Sequence, residues 1–209
     1  MTCRTCERDV VKWEDFAPFV RAYNTDIPVH IAAHFVRVAA LELLKISAMV
    51  AHDIYVDVQE NVHDYEVVPD DGYTITAVRQ VLLGDTELLH STRKDRHASS
   101  GGYTFDPPCT IVLGRSPMCD QREGLLISAT VVPSLRSCSI DSWVYDRYAE
   151  DIATGALARI LLTQKASYSD KSYAGIMQKR WNTILIDAKV EAMRGRVTGP
   201  SVVRRTPWV

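Results

Sequence analysis

Apolar side chains recur on two different periods along this chain, and each change of period marks a new segment. Trp13, Phe16, Phe19 and Tyr23 stand at roughly helical spacing in a polar N-terminal segment, residues 1–26. From Pro28 to Val50 the positions Ile31, Phe35, Val38, Leu41, Leu44 and Ala48 step by three or four, which predicts a helix. Thr25 and Asp26 ahead of Pro28 supply its start, a capping side chain and then a proline where no N–H is missed. Val36, Ala40, Leu43 and Met49 add a second apolar flank, so this helix is expected between neighbours or at a subunit interface.

The period then falls to two. Ile54, Val56 and Val58 alternate with other residues, Tyr65 to Val68 follow, and Pro69-Asp70-Asp71-Gly72 is a turn cluster. Tyr73 to Leu83 reads as a longer strand, joined through Gly84-Asp85 to Thr86-Glu87-Leu88-Leu89 as a tight hairpin. Residues 91–102, STRKDRHASSGG, read as a polar loop. Thr110 to Leu113 and Leu125 to Val132 are two further strands, separated by a loop from Gly114 to Gly124. After Pro133 the helical period returns, with Tyr145, Tyr148, Ile152, Ala156 and Ile160 on one face from about Asp141 to Thr163. Ser169 or Asp170 can cap a last helix, in which Ala174, Met177, Trp181, Ile184, Ala188 and Ala192 keep the spacing to Arg194. The expected class is α+β: a helical bundle of residues 27–51 and 141–194, an inserted small antiparallel β domain at 52–140, and an extended C-terminal tail at 195–209.

Composition narrows the function classes. The 209 residues are 46% hydrophobic and 24% charged, enough apolar side chain for a real core. A net charge of −2 gives no global field for nucleic acid or an acidic membrane. No run approaches the ~18–20 apolar residues of a membrane span, and the N-terminus lacks an apolar signal core. The composition therefore predicts a soluble, intracellular, globular chain. Its five cysteines are an odd number, a poor framework for disulfides.

Candidate chemistry is sparse. Nucleotide-loop, dinucleotide-fold, zincin and hydrolase-elbow motifs do not occur. Cys3 and Cys6 have C-x-x-C spacing but no second pair to complete a zinc site. His30 and His34 share a helix face at i and i+4 with no carboxylate at a matching offset. His63 beside Asp64, Asp70 beside Asp71, His90 beside Ser91 and His97 near Ser99 lie in turns or loops. Arg93, Lys94, Arg96 and His97 form a basic cluster with Tyr103 and Phe105 as the nearest aromatics. Two alternatives follow: a small metal-binding enzyme or regulator using Cys3/Cys6 or His30/His34, and a nucleic-acid-binding module using the basic cluster and tail.

The C-terminal segment carries a different signal. Arg194, Arg196, Arg204 and Arg205 occur without an acidic side chain, next to Val202, Val203 and Trp208. Such a strip suits an extended peptide that docks on a partner, with Trp208 as anchor and the arginines pairing with carboxylates.

The order of segments resembles the head–tail connector adaptors of tailed bacteriophages, similar in architecture to the podophage tail tubular protein A. The resemblance rests on IAAHFVRVAALELLKISAM, on ENVHDYEVVPDDGYTITAVRQVLLGDTELL, on CTIVLGRSPM, and on IDSWVYDRYAEDIATGALARILL followed by YAGIMQKRWNTILIDAKVEAMRGR. Within it, Ile152-Ala153-Thr154-Gly155-Ala156-Leu157-Ala158-Arg159-Ile160-Leu161 matches the family's I-A-x-G-A-L-A-R-L-L helix, and Trp181 with Ala188-Lys189 matches its last helix. It covers about residues 27–196; Cys3 and Cys6 fall outside it. It implies a non-enzymatic virion protein without cofactor, in a ring of about twelve copies at the head–tail junction, assembled in the host cytoplasm. Its implied partners are the portal protein, the next tail or nozzle component, further copies of itself, and passing double-stranded DNA read without sequence contacts; no membrane is involved. Arg196, Val202, Val203, Arg204, Arg205 and Trp208 are the expected portal-binding residues. Phe35, Leu41, Ile152, Gly155, Ala156, Met177 and Trp181 are the expected packing residues within or between subunits.

Overall fold

A computed structural model describes residues 9–70, 72–91, 101–164 and 166–195. The chain divides into two compact units, one of residues up to Trp13 with Val50–Arg147, the other of Glu14–Met49 with the chain from Tyr148 onward.

The first unit holds the nine described strands: β1 (Val10–Lys12), β2 (Ala51–Val58), β3 (Asp64–Glu66), β4 (Tyr73–Leu83), β5 (Thr86–His90), β6 (Gly102–Asp106), β7 (Thr110–Leu113), β8 (Gln121–Pro133) and β9 (Ser139–Asp141). Seven of them form one sheet in the order β2-β8-β4-β5-β6-β7-β3, while β1 and β9 pair separately. All pairings are antiparallel except β5 with β6, where Leu89 lies opposite Gly102. β8 is the hub, setting Ile127 between Ile54 of β2 and Val81 of β4. Leu125, Ile127, Ala129 and Val131 are fully buried; burial alternates as far as Ser128, the period-two signature of one face on a core, and from Ala129 to Pro133 both faces are covered.

The connectivity forces this sheet to curl. β2 and β3 lie at opposite edges yet are consecutive in the chain. Six residue steps from Val58 to Asp64 reach at most about 22 Å. Seven strands laid flat would hold their outer strands about 29 Å apart. The sheet therefore bends towards a barrel. Register shifts at Val56/Val58, Ile75/Ala77 and Val78/Gln80, all opposite β8, supply the local twist that curling needs. The short connection is tied down by the buried Tyr65, whose hydroxyl lies 3.1 Å from both the Gln59 and Val62 carbonyls and accepts from the Gln59 N–H at 3.3 Å.

This sheet overturns the expected class of a helical bundle with a small inserted β domain. Among the described residues, strands take 31% against 41% in helices, so the sheet is a principal element of the fold. The underestimate has two physical sources. β1 and β9 are three residues each, too short to show a period, and β6 buries Gly102, Tyr103 and Thr104 consecutively, so it has no alternation to read. The parallel β5–β6 pairing also joins two groups of strands that hairpin logic alone would leave apart.

The second unit is helical. After a 3₁₀ turn at Trp13–Phe16 come α1 (Ala17–Arg21), α2 (Val29–Ser47), α3 (Ser142–Ile160, which begins in the first unit) and α4 (Lys171–Gly195). α2 starts differently from the expected cap: Pro28 itself is the N-cap residue and no side chain caps the helix, while Asn24 Oδ1 accepts from the Asp26 N–H at 2.8 Å. α4 starts on Asp170, whose Oδ1 accepts from the Tyr173 N–H at 2.9 Å. α2 buries Ala32, Val36, Ala39, Ala40, Leu43 and Leu44. Phe35 and Leu41 are half-buried on its shoulder. α2 ends at Ala48, which closes the last turn in the left-handed region at φ 50° with its N–H on the Leu44 carbonyl. A β-carbon is unfavourable there, so Ala48→Gly is expected to stabilise the chain by about 0.5–1 kcal/mol in chemical denaturation. A loss of stability would show that the alanine methyl is needed for packing.

Candidate interaction surface

The helical unit is organised around one carboxylate. Glu42 on α2 accepts from the Arg159 guanidinium of α3 and, at 2.7 Å, from the Trp181 indole N–H of α4. Arg159 also donates to the Gly155 carbonyl one turn earlier at 2.7 Å, and its guanidinium lies 5.9 Å from the Trp181 ring centroid. The indole rests directly on the α3 backbone: a β-carbon at Gly155 would come within 2.7 Å of Trp181 Cδ2. Glycine is therefore required at 155 by close approach. Ile152, Gly155 and Ala156 are buried on α3, and Met177 and Trp181 on α4.

Further contacts set the ends of α4. Asp170 Oδ2 accepts from the Tyr23 hydroxyl at 3.4 Å, and the Tyr23 ring stacks on Tyr173 with centroids 4.7 Å apart. Near the other end, the Tyr148 hydroxyl of α3 donates to Glu191 Oε2 at 2.8 Å. Tyr148, Asp151, Ile184, Asp187, Glu191 and Arg194 line a groove of about 640 Å³ along this part of the helix. Burial pushes the Asp151 carboxyl up from its ordinary value; Arg180 pulls it down, and Glu150 and Asp187 push it up further.

With α4 oriented by Trp181, its two faces have opposite fates. Ala174, Met177, Trp181, Leu185 and Ala188 are buried. On the opposite side Ile176, Ile186, Val190 and Met193 are 58%, 63%, 39% and 53% exposed, with Lys179 and Thr183 between them. Isolated exposed apolar side chains are ordinary, but a contiguous row of them along a helix marks a surface that meets something. None of these four was singled out by the first apolar series of this helix. The signal was a second three-and-four series half a turn away: 176, 179, 183, 186, 190, 193.

The other sequence candidates are dispersed. His30 and His34 are exposed on α2, with His34 edge-on to Phe35 at 5.2 Å. His63 Nδ1 lies 2.9 Å from the Leu113 carbonyl, and His90 is edge-on to the buried Tyr103 at 5.4 Å. Among the described residues, no three His, Cys, Asp or Glu side chains are grouped as a metal site, and no helix is long and apolar enough to cross a membrane. Cys3, Cys6, Asp71, the cluster Arg93, Lys94, Arg96 and His97, and the tail residues Arg196, Val202, Val203, Arg204, Arg205 and Trp208 lie outside the described residues. No family model matches the chain, and no curated protein matches it.

Two outcomes test this geometry. Gly155→Ala drives a methyl into the indole and is expected to cost about 1–3 kcal/mol in chemical denaturation; a neutral result would mean that Trp181 does not seat on α3. For Asp151, a raised folded-state value means that the fold favours the protonated acid. That contribution is complete below the ordinary aspartate range and is lost as pH rises through the elevated value. Asp151→Asn should therefore melt above wild type near neutral pH, with the difference closing in acid. Equal melting temperatures at neutral pH would contradict the burial of a charged carboxylate.

Proposed function

We propose that the chain is a non-enzymatic structural adaptor of a tailed-phage virion, a ring-forming protein that joins the portal to the next tail component and lets double-stranded DNA pass. The reading starts from the resemblance of residues 27–196 to the connector adaptors. The observation that carries it is the open apolar face of α4, because a protein whose work is assembly needs apolar surface that its own fold leaves uncovered. Small residues suit such a role inside the subunit as well: Ala153, Gly155 and Ala156 allow close helix approach, so the indole of α4 seats on α3.

In this reading the basic C-terminal strip docks on the portal, with Trp208 as its anchor and Arg204 and Arg205 pairing with carboxylates. Ordering such a strip costs conformational entropy, so docking becomes tight only when many tails engage one rigid ring at once. Deleting residues 197–209 is expected to abolish recruitment of the protein to portal-bearing capsids, followed by sedimentation of the mixture. Recruitment equal to wild type would refute tail docking. Failure of the full-length protein itself to bind portal rings would refute the adaptor reading.

A further inference from the structure

We infer that the open face of α4 pairs with the same face of α4 in a second copy of this chain, running antiparallel, before any other partner is met. The inference deepens the adaptor reading by naming a first occupant of the same face. It is tested on the isolated protein, so each can fail without the other.

The argument starts from spacing. Ile176, Thr183 and Val190 are seven residues apart, as are Lys179, Ile186 and Met193, which follow them by three. This is the a and d pattern of a heptad seam, carried over nearly three repeats on a 25-residue helix. In an antiparallel pair each a residue meets a d residue of the partner. One register sets Ile176 against the partner's Met193, Thr183 against the partner's Ile186, and Val190 against the partner's Lys179. The two-fold axis then repeats each layer. Lys179 can lay its methylene stem over valine and keep its ammonium in water.

Charge selects this register independently of the apolar layers. Arg180 and Asp187 both occupy the e position, on the same flank of the seam. The register above sets Arg180 opposite the partner's Asp187, and Asp187 opposite the partner's Arg180. A parallel pair sets no e position against another and uses neither match. On the other flank Asn182 faces the partner's Lys189, with no like-charge clash. Within its own subunit Arg180 also attracts the Asp151 carboxylate.

The size of the seam sets the strength. About 20 residues of helix give a strip some 30 Å long, at the small end of specific interfaces, so the expected dissociation constant is on the order of 10 μM.

Sedimentation equilibrium on the full-length protein across that range checks it. Wild type is expected to move from monomer to twice the chain mass of 23.4 kDa. Ile186→Lys, at a solvent-facing position, should weaken dimerisation by about 100-fold, with an unchanged thermal melt at dilute concentration showing that the fold survives. Asp187→Arg alone should weaken it roughly tenfold, and the exchange Arg180→Asp with Asp187→Arg should restore it to within about threefold. A wild-type monomer at about 100 μM would overturn the proposal. So would a dimer indifferent to Ile186→Lys, or one that the charge exchange fails to rescue.

Discussion

Glu42 is the acceptor on which the arrangement of the long helices turns. Its carboxylate holds a guanidinium from α3 and an indole N–H from α4 at once, and the indole is fully buried. A tryptophan N–H without an acceptor there would cost about 1–3 kcal/mol. The more consequential effect is directional. The hydrogen bond fixes the plane of a fully buried indole, and that plane lies flat on a backbone bared by Gly155. The rotation of α4 about its own axis is settled by these two contacts together. Because each residue turns the helix by about 100°, a shift of one residue would expose Trp181 and bury charge. The outward-facing row at 176, 186, 190 and 193 is thus a consequence of a contact made on the far side of the same helix.

The β unit obeys a constraint of a different kind, one of chain length. Five residues cannot bridge the edges of a flat seven-stranded sheet, so closure follows from connectivity before any side chain is considered. Side chains then stabilise the curl that the connection demands, through the Tyr65 hydroxyl on the linker carbonyls and the alternate aliphatics of β8 beneath it. Curling also limits a hazard. A long open edge invites pairing with other chains, and here the two edges are β3, only three residues long, and β2, whose Asp53 and Asp57 place charge along it.

How much of this could be read from the sequence depends on range. α2, α3 and α4 were legible because a 3.6-residue period is written within each segment, and for α4 the capping Asp170 stands directly ahead of the helix. β4 with its turn into β5 was legible for the same reason, since Gly84 takes a positive φ of 57° within the hairpin. The sheet as a whole was not. β2 pairs with β8 across some seventy residues, and alternation says which face is buried without saying which strand lies alongside. The Glu42 cluster was illegible on the same grounds: its partners lie 117 and 139 residues away, and a lone carboxylate on an apolar helix reads locally as solvated. Gly155 and Trp181 were recognisable as packing residues, but their direct contact was not.

The open face of α4 was present in the sequence as a second apolar series, and it needed the structure only to show which of two series was already in use. Lys179 and Thr183 interrupt that series, and their placement bears on how such a surface functions. A seam of uninterrupted Leu and Ile would hold one partner permanently, or drive aggregation while the chain waited for it. Two polar positions in six reduce the apolar area per heptad and keep association weak and reversible. A component that must be displaced from one contact in order to enter another works best in that regime, because the competing partner then has little free energy to overcome. The same helix can in this way be firmly fixed on its inner face by Glu42 and Trp181 and exchangeable on its outer one.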